Sequence, residues 1–212
     1  MISAKAIDLF FFMAGGVILP HITTVIQEVL CKHGLLLNDQ QRLALQDLEQ
    51  ALFIGELTPY SFLKRAGALS LPAIESAQLL EGILRTVHAD EDTLQVADAL
   101  RKRGYTLYLV SEYPPEWLEQ IASHVAALRL LFSSNRLVFT SSLKLKDIYG
   151  DIFSVLRSNG QIVPGKTLWI DAHPWRTSAA IRRGIDAIIY VDSRRLRREL
   201  ALRQLVTNST SS

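Results

Sequence analysis

The reading of the chain turns on Phe10-Phe11-Phe12-Met13-Ala14-Gly15-Gly16-Val17-Ile18-Leu19-Pro20. The run is apolar without the alternation of a half-buried strand, and it ends abruptly at two glycines. That pattern predicts a fully buried strand breaking into a tight turn. Glycine takes positive φ and lets backbone approach a ligand closely, so Gly15 and Gly16 mark a candidate site just past the strand. In open α/β sheets, ligands sit at the carboxyl ends of the strands, which is where this turn falls.

Two other readings of the same run fail. A secretory signal does not fit, because Asp8 interrupts the approach, Lys5 is the lone basic residue before it, and no A-x-A site follows. A membrane helix needs ~20 apolar residues, more than are present. A cytoplasmic protein without a membrane partner is expected. With 212 residues, 49% of them apolar, the chain can bury a substantial core. Its 23 basic and 21 acidic residues leave a net charge of +2, which gives no argument for nucleic acid. The single cysteine, Cys31, excludes an intramolecular disulfide and fits a reducing compartment. It lies in an apolar helical pattern and reads as a buried small hydrophobe.

Between Pro20 and Val87 no strand signal occurs. Helical spacing runs from His21 to His33, closed by Gly34. Asn38 or Asp39 caps a second helix with the stripe Leu43, Leu45, Leu48, Leu52 and Phe53. Thr58 and Pro59 open a third helix, and Pro72 to Val87 makes a fourth. From Asp92 the pattern changes to helices alternating with strands. The strands are Tyr105–Val110, Leu137–Thr140, Thr167–Ile170 and Ala187–Val191; the helices are Thr93–Arg103, Glu116–Leu128, Ile148–Arg157, Thr177–Arg183 and Arg194–Val206. Such alternation predicts a parallel sheet covered on both faces. Residues 1–19 and 88–206 then form an α/β core, 20–87 a helical insertion, and 207–212 a tail. The basic run Arg194, Arg195, Arg197, Arg198 and Arg203 is interleaved with Glu199 and the apolar Leu196, Leu200, Leu202 and Leu205, as on an amphipathic surface helix.

Four segments, in order, resemble the motifs of the haloacid dehalogenase superfamily. Phe12-Met13-Ala14-Gly15-Gly16-Val17-Ile18 is similar to its first motif, FDxGGV(I/L), with Met13 at the nucleophilic aspartate and Gly15 at the acid/base position. Leu107 to Ser111 resembles the second motif, which implies that the Ser111 hydroxyl donates to a phosphate oxygen; Glu112 replaces the usual asparagine. Leu143-Lys144-Leu145-Lys146 resembles the third, whose lysine stabilises the transferring group. Lys146 fits best and Lys144 is the alternative, while a solvated lysine pair is the other reading. Leu168-Trp169-Ile170-Asp171-Ala172-His173-Pro174 resembles the fourth, hhhDD, with Asp171 as the first acid and Ala172 in place of the second. The segment around Gly55-Glu56-Leu57-Thr58 resembles the turn of a helical cap. The resemblance implies a Rossmann-like α/β core with an inserted cap that chooses the ligand, for which His21, Phe53 and Tyr60 are cleft candidates. Aromatic residues at such spacing also serve as core.

In that family a carboxylate attacks phosphorus or carbon and an acidic pair holds Mg²⁺. A thioether carries no charge, cannot be activated by a base, and suits a hard cation poorly. With Met13 and Ala172, two carboxylates are missing. Asp8, five residues upstream on the same strand, lies ~16 Å from its end and cannot substitute. The expectation is a degenerate member that keeps a binding or assembly role. It has no catalytic residue at the nucleophile position, an incomplete metal position at Asp171, no cofactor, and a small phosphorylated or anionic ligand near Gly16, Ser111 and a lysine. The alternative is a Mg²⁺-dependent phosphohydrolase of small metabolites. A third reading is a purely structural subunit with a collapsed cleft. Homo-oligomerisation stays open.

Overall fold

A computed structural model describes residues 7–70, 73–147 and 151–206. Strands β1 (Leu9–Met13), β2 (Thr106–Ser111), β3 (Leu137–Phe139), β4 (Thr167–Asp171) and β5 (Asp186–Ile189) form one sheet. Its order is β3-β2-β1-β4-β5, and every pairing is parallel. The first strand is thus the central one, flanked by β2 and β4. Residues Phe10 to Ala14 have no exposed surface, which is why the run carries no polar alternation. In register on the three central strands, Phe11 stacks on Tyr108 at 4.5 Å and on Trp169 at 5.8 Å between ring centroids. This aromatic ladder fixes the alignment of β2, β1 and β4.

The first four helices that follow β1 in the chain are α1 (Ile22–Lys32), α2 (Asp39–Ile54), α3 (Pro59–Gly67) and α4 (Ser76–Thr86). The Asn38 side chain caps α2 in a reciprocal capping box with Gln41, and Thr58 caps α3 ahead of Pro59. The backbone N–H of Asp90 donates to the Ile18 carbonyl at 2.8 Å, so the two connections of this helical insertion run side by side. Inserted and core segments also touch where Tyr113 Oη donates to the Pro20 carbonyl at 2.7 Å. At Gly55 the backbone has φ 83°, and a Cβ there would fall 2.3 Å from the Ser141 carbonyl oxygen, so only glycine lets the end of α2 meet the core.

The core continues with α5 (Glu91–Lys102), α6 (Pro115–His124), α7 (Ala126–Leu131), α8 (Asp151–Ser158), α9 (Pro174–Ile181) and α10 (Ser193–Leu202). Leu196 and Leu200 bury the apolar face of α10, Arg194, Arg195 and Arg198 are exposed, and Leu202, expected on the apolar face, is exposed as well at the helix end. No described helix is long and apolar enough to cross a membrane.

Several local expectations are corrected. The single helix Glu116–Leu128 is two, broken at Val125, whose φ of −112° and ψ of 76° leave the helical region. The fourth inserted helix starts at Ser76, and α9 starts at Pro174 because proline suits the first helical position. Residues 71–72 and 148–150, where helices were expected to begin, lie outside the described residues, as does the tail. Cys31 is exposed. At ~100° per residue it sits on the far side of α1 from Ile22, Val25, Ile26 and Val29, which are buried. Leu43 is likewise 62% exposed and off the buried stripe of α2.

Candidate functional site

The turn after β1 closes on itself. Ile18 and Leu19 N–H both donate to the Ala14 carbonyl, and Gly16 N–H donates to the Leu19 carbonyl at 2.6 Å. Gly16 has φ 77°, a conformation glycine adopts freely. Met13 is fully buried. The space over both glycines is filled by other side chains. A Cβ on Gly15 would fall 1.7 Å from Glu112 Oε1, and one on Gly16 2.3 Å from His21 Nε2 and 3.0 Å from Ala172 Cβ. Side chains from the loop after β2 and from the start of α1 thus close over the end of β1.

Asp171, at the end of β4, is fully buried. Arg176 Nε donates to its Oδ2 at 2.5 Å and Arg176 Nη2 to its Oδ1 at 3.2 Å. Trp169 Nε1 donates to Oδ2 at 3.1 Å and the His173 backbone N–H to Oδ1 at 2.8 Å. A carboxylate offers about four acceptor positions, and all of them are taken. The Arg176 guanidinium also lies 5.1 Å from the centre of the Phe53 ring and 4.8 Å from that of Trp175, a cation–π contact with each. Arg176 stands on the first turn of α9, placed by Pro174, and is itself buried.

Arg176, with Phe53 and Trp175, borders a cleft of about 510 Å³ between the insertion and the strand ends, lined also by His21, Thr23, Glu49 and Glu112 among others. A larger groove of about 830 Å³ runs between α4 and the α6–α7 break, away from the strand ends. Glu49 comes from α2. Burial, and then the charge of Glu112, push its carboxyl up from 4.5 to about 7, against hydrogen bonds from Thr23 and the charge of Arg176. His173, whose ring lies 4.8 Å from that of His21, is lowered from 6.5 to about 4 by burial and then by Arg176. Its imidazole is neutral at pH 7. Burial, with the charges of Glu112 and Glu49, holds the Tyr113 phenol well above its usual range.

The structure thus brings Gly15, Gly16, His21, Phe53 and Asp171 to one place. Ser111 is adjacent but buried, and its hydroxyl donates to the Tyr113 carbonyl at 2.9 Å, which commits its one donor within the loop. Tyr60 is 69% exposed on the first turn of α3 and does not line the cleft. Lys144 and Lys146 are exposed and also absent from its lining. Lys144 has a left-handed φ of 49°, and the backbone N–H of Lys146 donates to Asp151. Sequence reasoning missed Glu49 and Arg176. The signal for Arg176 was indirect: Asp171 ends a fully buried strand, and a carboxylate buried there needs a compensating cation close by. Glu49 sits among polar residues of α2 and carries no signal in sequence.

An Mg²⁺ site in this position does not fit the residues present. Met13 offers a thioether, Ala172 offers nothing, and the four acceptor positions of Asp171 are committed to a guanidinium, an indole and a backbone amide. Among the described residues no group of three or more His, Cys, Asp or Glu is arranged to hold a metal ion.

No family model matches the chain, and comparison of its sequence with curated proteins finds no match. Its fold does match solved structures. A hydrolase from Streptococcus pneumoniae TIGR4 aligns over 92% of this chain and 99% of its own, with 20% identity and a TM-score of 0.57. A HAD-like family hydrolase from Porphyromonas gingivalis aligns over 92% and 98%, with 18% identity and a TM-score of 0.63. A HAD family enzyme from Bacteroides thetaiotaomicron, solved with magnesium and inorganic phosphate, aligns over 86% and 93%, with 15% identity and a TM-score of 0.62. By the course of its backbone, the chain has the fold of the haloacid-dehalogenase-like (HAD) hydrolases.

Proposed function

We propose that this protein is a HAD-fold chain that does not carry out covalent aspartyl chemistry and keeps its cleft as a binding site, with the inserted helices as the cap over it. The observation that carries this reading is the saturated carboxylate of Asp171. Its four acceptor positions are filled from within the chain, and the nearest charge is the cation of Arg176. A divalent ion would have to displace a buried ion pair to reach it. Met13 supports the same reading, because a buried thioether supplies neither the nucleophile nor an oxygen ligand. The expected anion donors are also missing from the cleft, since Ser111 is bonded within its loop and both lysines lie elsewhere. A cytoplasmic setting suits a chain whose lone thiol is exposed.

The second reading is a Mg²⁺-dependent phosphohydrolase. It is favoured by the solved structures of this fold, one of them containing magnesium and phosphate. Steady-state hydrolysis over a broad panel of phosphate esters, with and without Mg²⁺, separates the two. The proposed function predicts no turnover above background in either condition. Turnover that needs Mg²⁺ and disappears in Asp171→Ala supports the hydrolase instead.

A further inference from the structure

Glu112 is the residue that changes the character of the cleft. It follows β2 directly and carries its carboxyl group into the site at 5% exposure. Its Oε1 lies over Gly15, in the space a side chain there would need. Its Oε2 is buried without a hydrogen-bond partner. A carboxylate oxygen removed from water and given no donor is a large unmet demand. The residues around it do not meet that demand. Arg176 is the cation lining the cleft, and it is already paired with Asp171 and held between Phe53 and Trp175. Glu49 approaches from the insertion and brings a second carboxyl group into the same lining, pushed up to about 7 by burial first and then by the charge of Glu112. The polar groups that accompany these acids are Thr23, Gln46, Gln50 and the imidazoles of His21 and His173.

The balance of charge follows. Arg176 is paired with Asp171 and offsets the charge of Glu49 only in small part, His173 is neutral at pH 7, and Glu112 adds a further carboxyl group to the lining. An anion entering the cleft meets charge of its own sign. A metal ion is not favoured either, because no three ligating side chains among the described residues are arranged to hold one. A group that carries positive charge and several N–H donors supplies what Glu112 lacks. We infer that the cleft binds an organic cation bearing an ammonium or guanidinium group, with Glu112 as its principal acceptor and Glu49 as the second. This rests on the reading of the cleft as a retained binding site and reverses the charge of the ligand expected from sequence. The cleft of about 510 Å³ suits a small molecule, and the way Arg176 lies across Phe53 and Trp175 shows a guanidinium already accommodated there.

The test is isothermal calorimetry on the full chain at pH 8 with butylammonium, methylguanidinium and agmatine, and separately with inorganic phosphate. At least one organic cation should bind and phosphate should not. Glu112→Gln keeps the shape and removes the charge, and should weaken the cation by about tenfold or more, as loss of a charge-assisted pair does. Circular dichroism and thermal melting of that variant should show an intact fold, since removing an unpaired buried charge relieves the folded state. Glu49→Gln should weaken the same cation less, and lowering the pH to 6 should weaken it in wild type as Glu49 takes up a proton. Cation binding that is unchanged in a folded Glu112→Gln overturns the assignment. Phosphate binding without cation binding overturns it and leaves the binding-cleft reading in place. If neither class binds, both fall.

Discussion

Arg176 grips Asp171 with two nitrogens of its guanidinium, Nε on Oδ2 and Nη2 on Oδ1, in a pocket where neither side chain is more than 4% exposed. The pair stands at the carboxyl end of β4, one strand from Met13. Breaking a buried pair by removing one partner leaves the other charge uncompensated. Arg176→Met should therefore destabilise the fold by about 3–5 kcal/mol, read from urea denaturation. Asp171→Leu combined with Arg176→Met should recover most of that loss, because neither charge is then stranded. A double variant as unstable as the sum of its parts would contradict the pairing.

Met13 is fully buried at the end of the central strand. Met13→Asp should lose about 3 kcal/mol or more, the price of an unpaired buried charge, whereas Met13→Leu should lose less than about 1.5 kcal/mol. Adding Ala172→Asp should not bring hydrolysis, because Arg176 still holds Asp171 and Glu112 still covers Gly15. Phosphatase activity in that double variant would contradict this.

Gly15 and Glu112 compete for one volume. A Cβ at Gly15 would fall 1.7 Å from Glu112 Oε1 and 3.3 Å from His21 Nδ1. Gly15→Ala should cost about 1–3 kcal/mol through overpacking. Gly15→Ala in an Glu112→Ala background should cost much less, and a double-mutant cycle measures the coupling. Equal costs in both backgrounds would show that Glu112 does not occupy that space.

Glu49 sets a pH dependence with a definite sign. Its carboxyl rises from 4.5 to about 7 on folding, so between those values the folded chain keeps a proton that the unfolded chain has lost. Its contribution to stability is full below 4.5 and is lost as the pH rises through about 7. His173, lowered from 6.5 to about 4, acts oppositely: its contribution is present above 6.5 and lost as the pH falls through about 4. The two oppose each other across the intermediate range, so the wild-type profile alone is uninformative. Glu49→Gln isolates one of them. Relative to wild type it should gain on the order of 1–3 kcal/mol between pH 5 and pH 8, less than the full shift implies because Glu49 keeps some exposure. A gap independent of pH would contradict the assigned shift.

The fold was legible where burial dictates composition. Phe10 to Met13 reads as a central strand because it is covered on both faces, and Asn38, Thr58 and Pro59 mark helix starts through local hydrogen bonding and fixed φ. Finer features depend on tertiary contact. Cys31 and Leu43 lie within apolar patterns yet face outward, because a run of apolar residues does not say which side of the helix meets the core. The break at Val125 carries no proline or glycine. At the site, Met13 and Ala172 stood out in sequence because the motif resemblance implies carboxylates at those positions. The side chains gathered around them did not. Arg176 folds back from the first turn of α9 onto Asp171 at the end of β4, and Glu49 reaches the cleft from more than sixty residues before Glu112 in the chain. No local pattern records such a meeting.

The central claim is that the chain's own cation has taken the place of a metal at Asp171, and it can be tested without knowing any substrate. The measurement is the thermal midpoint of the protein titrated with Mg²⁺ up to millimolar concentrations, in wild type and in Asp171→Ala. An ion bound to the folded state alone stabilises it by RT ln(1 + [Mg²⁺]/Kd). The account predicts no saturable rise in the wild-type midpoint. A saturable rise that is absent from a folded Asp171→Ala would mean that Asp171 holds the metal and that Arg176 yields to it.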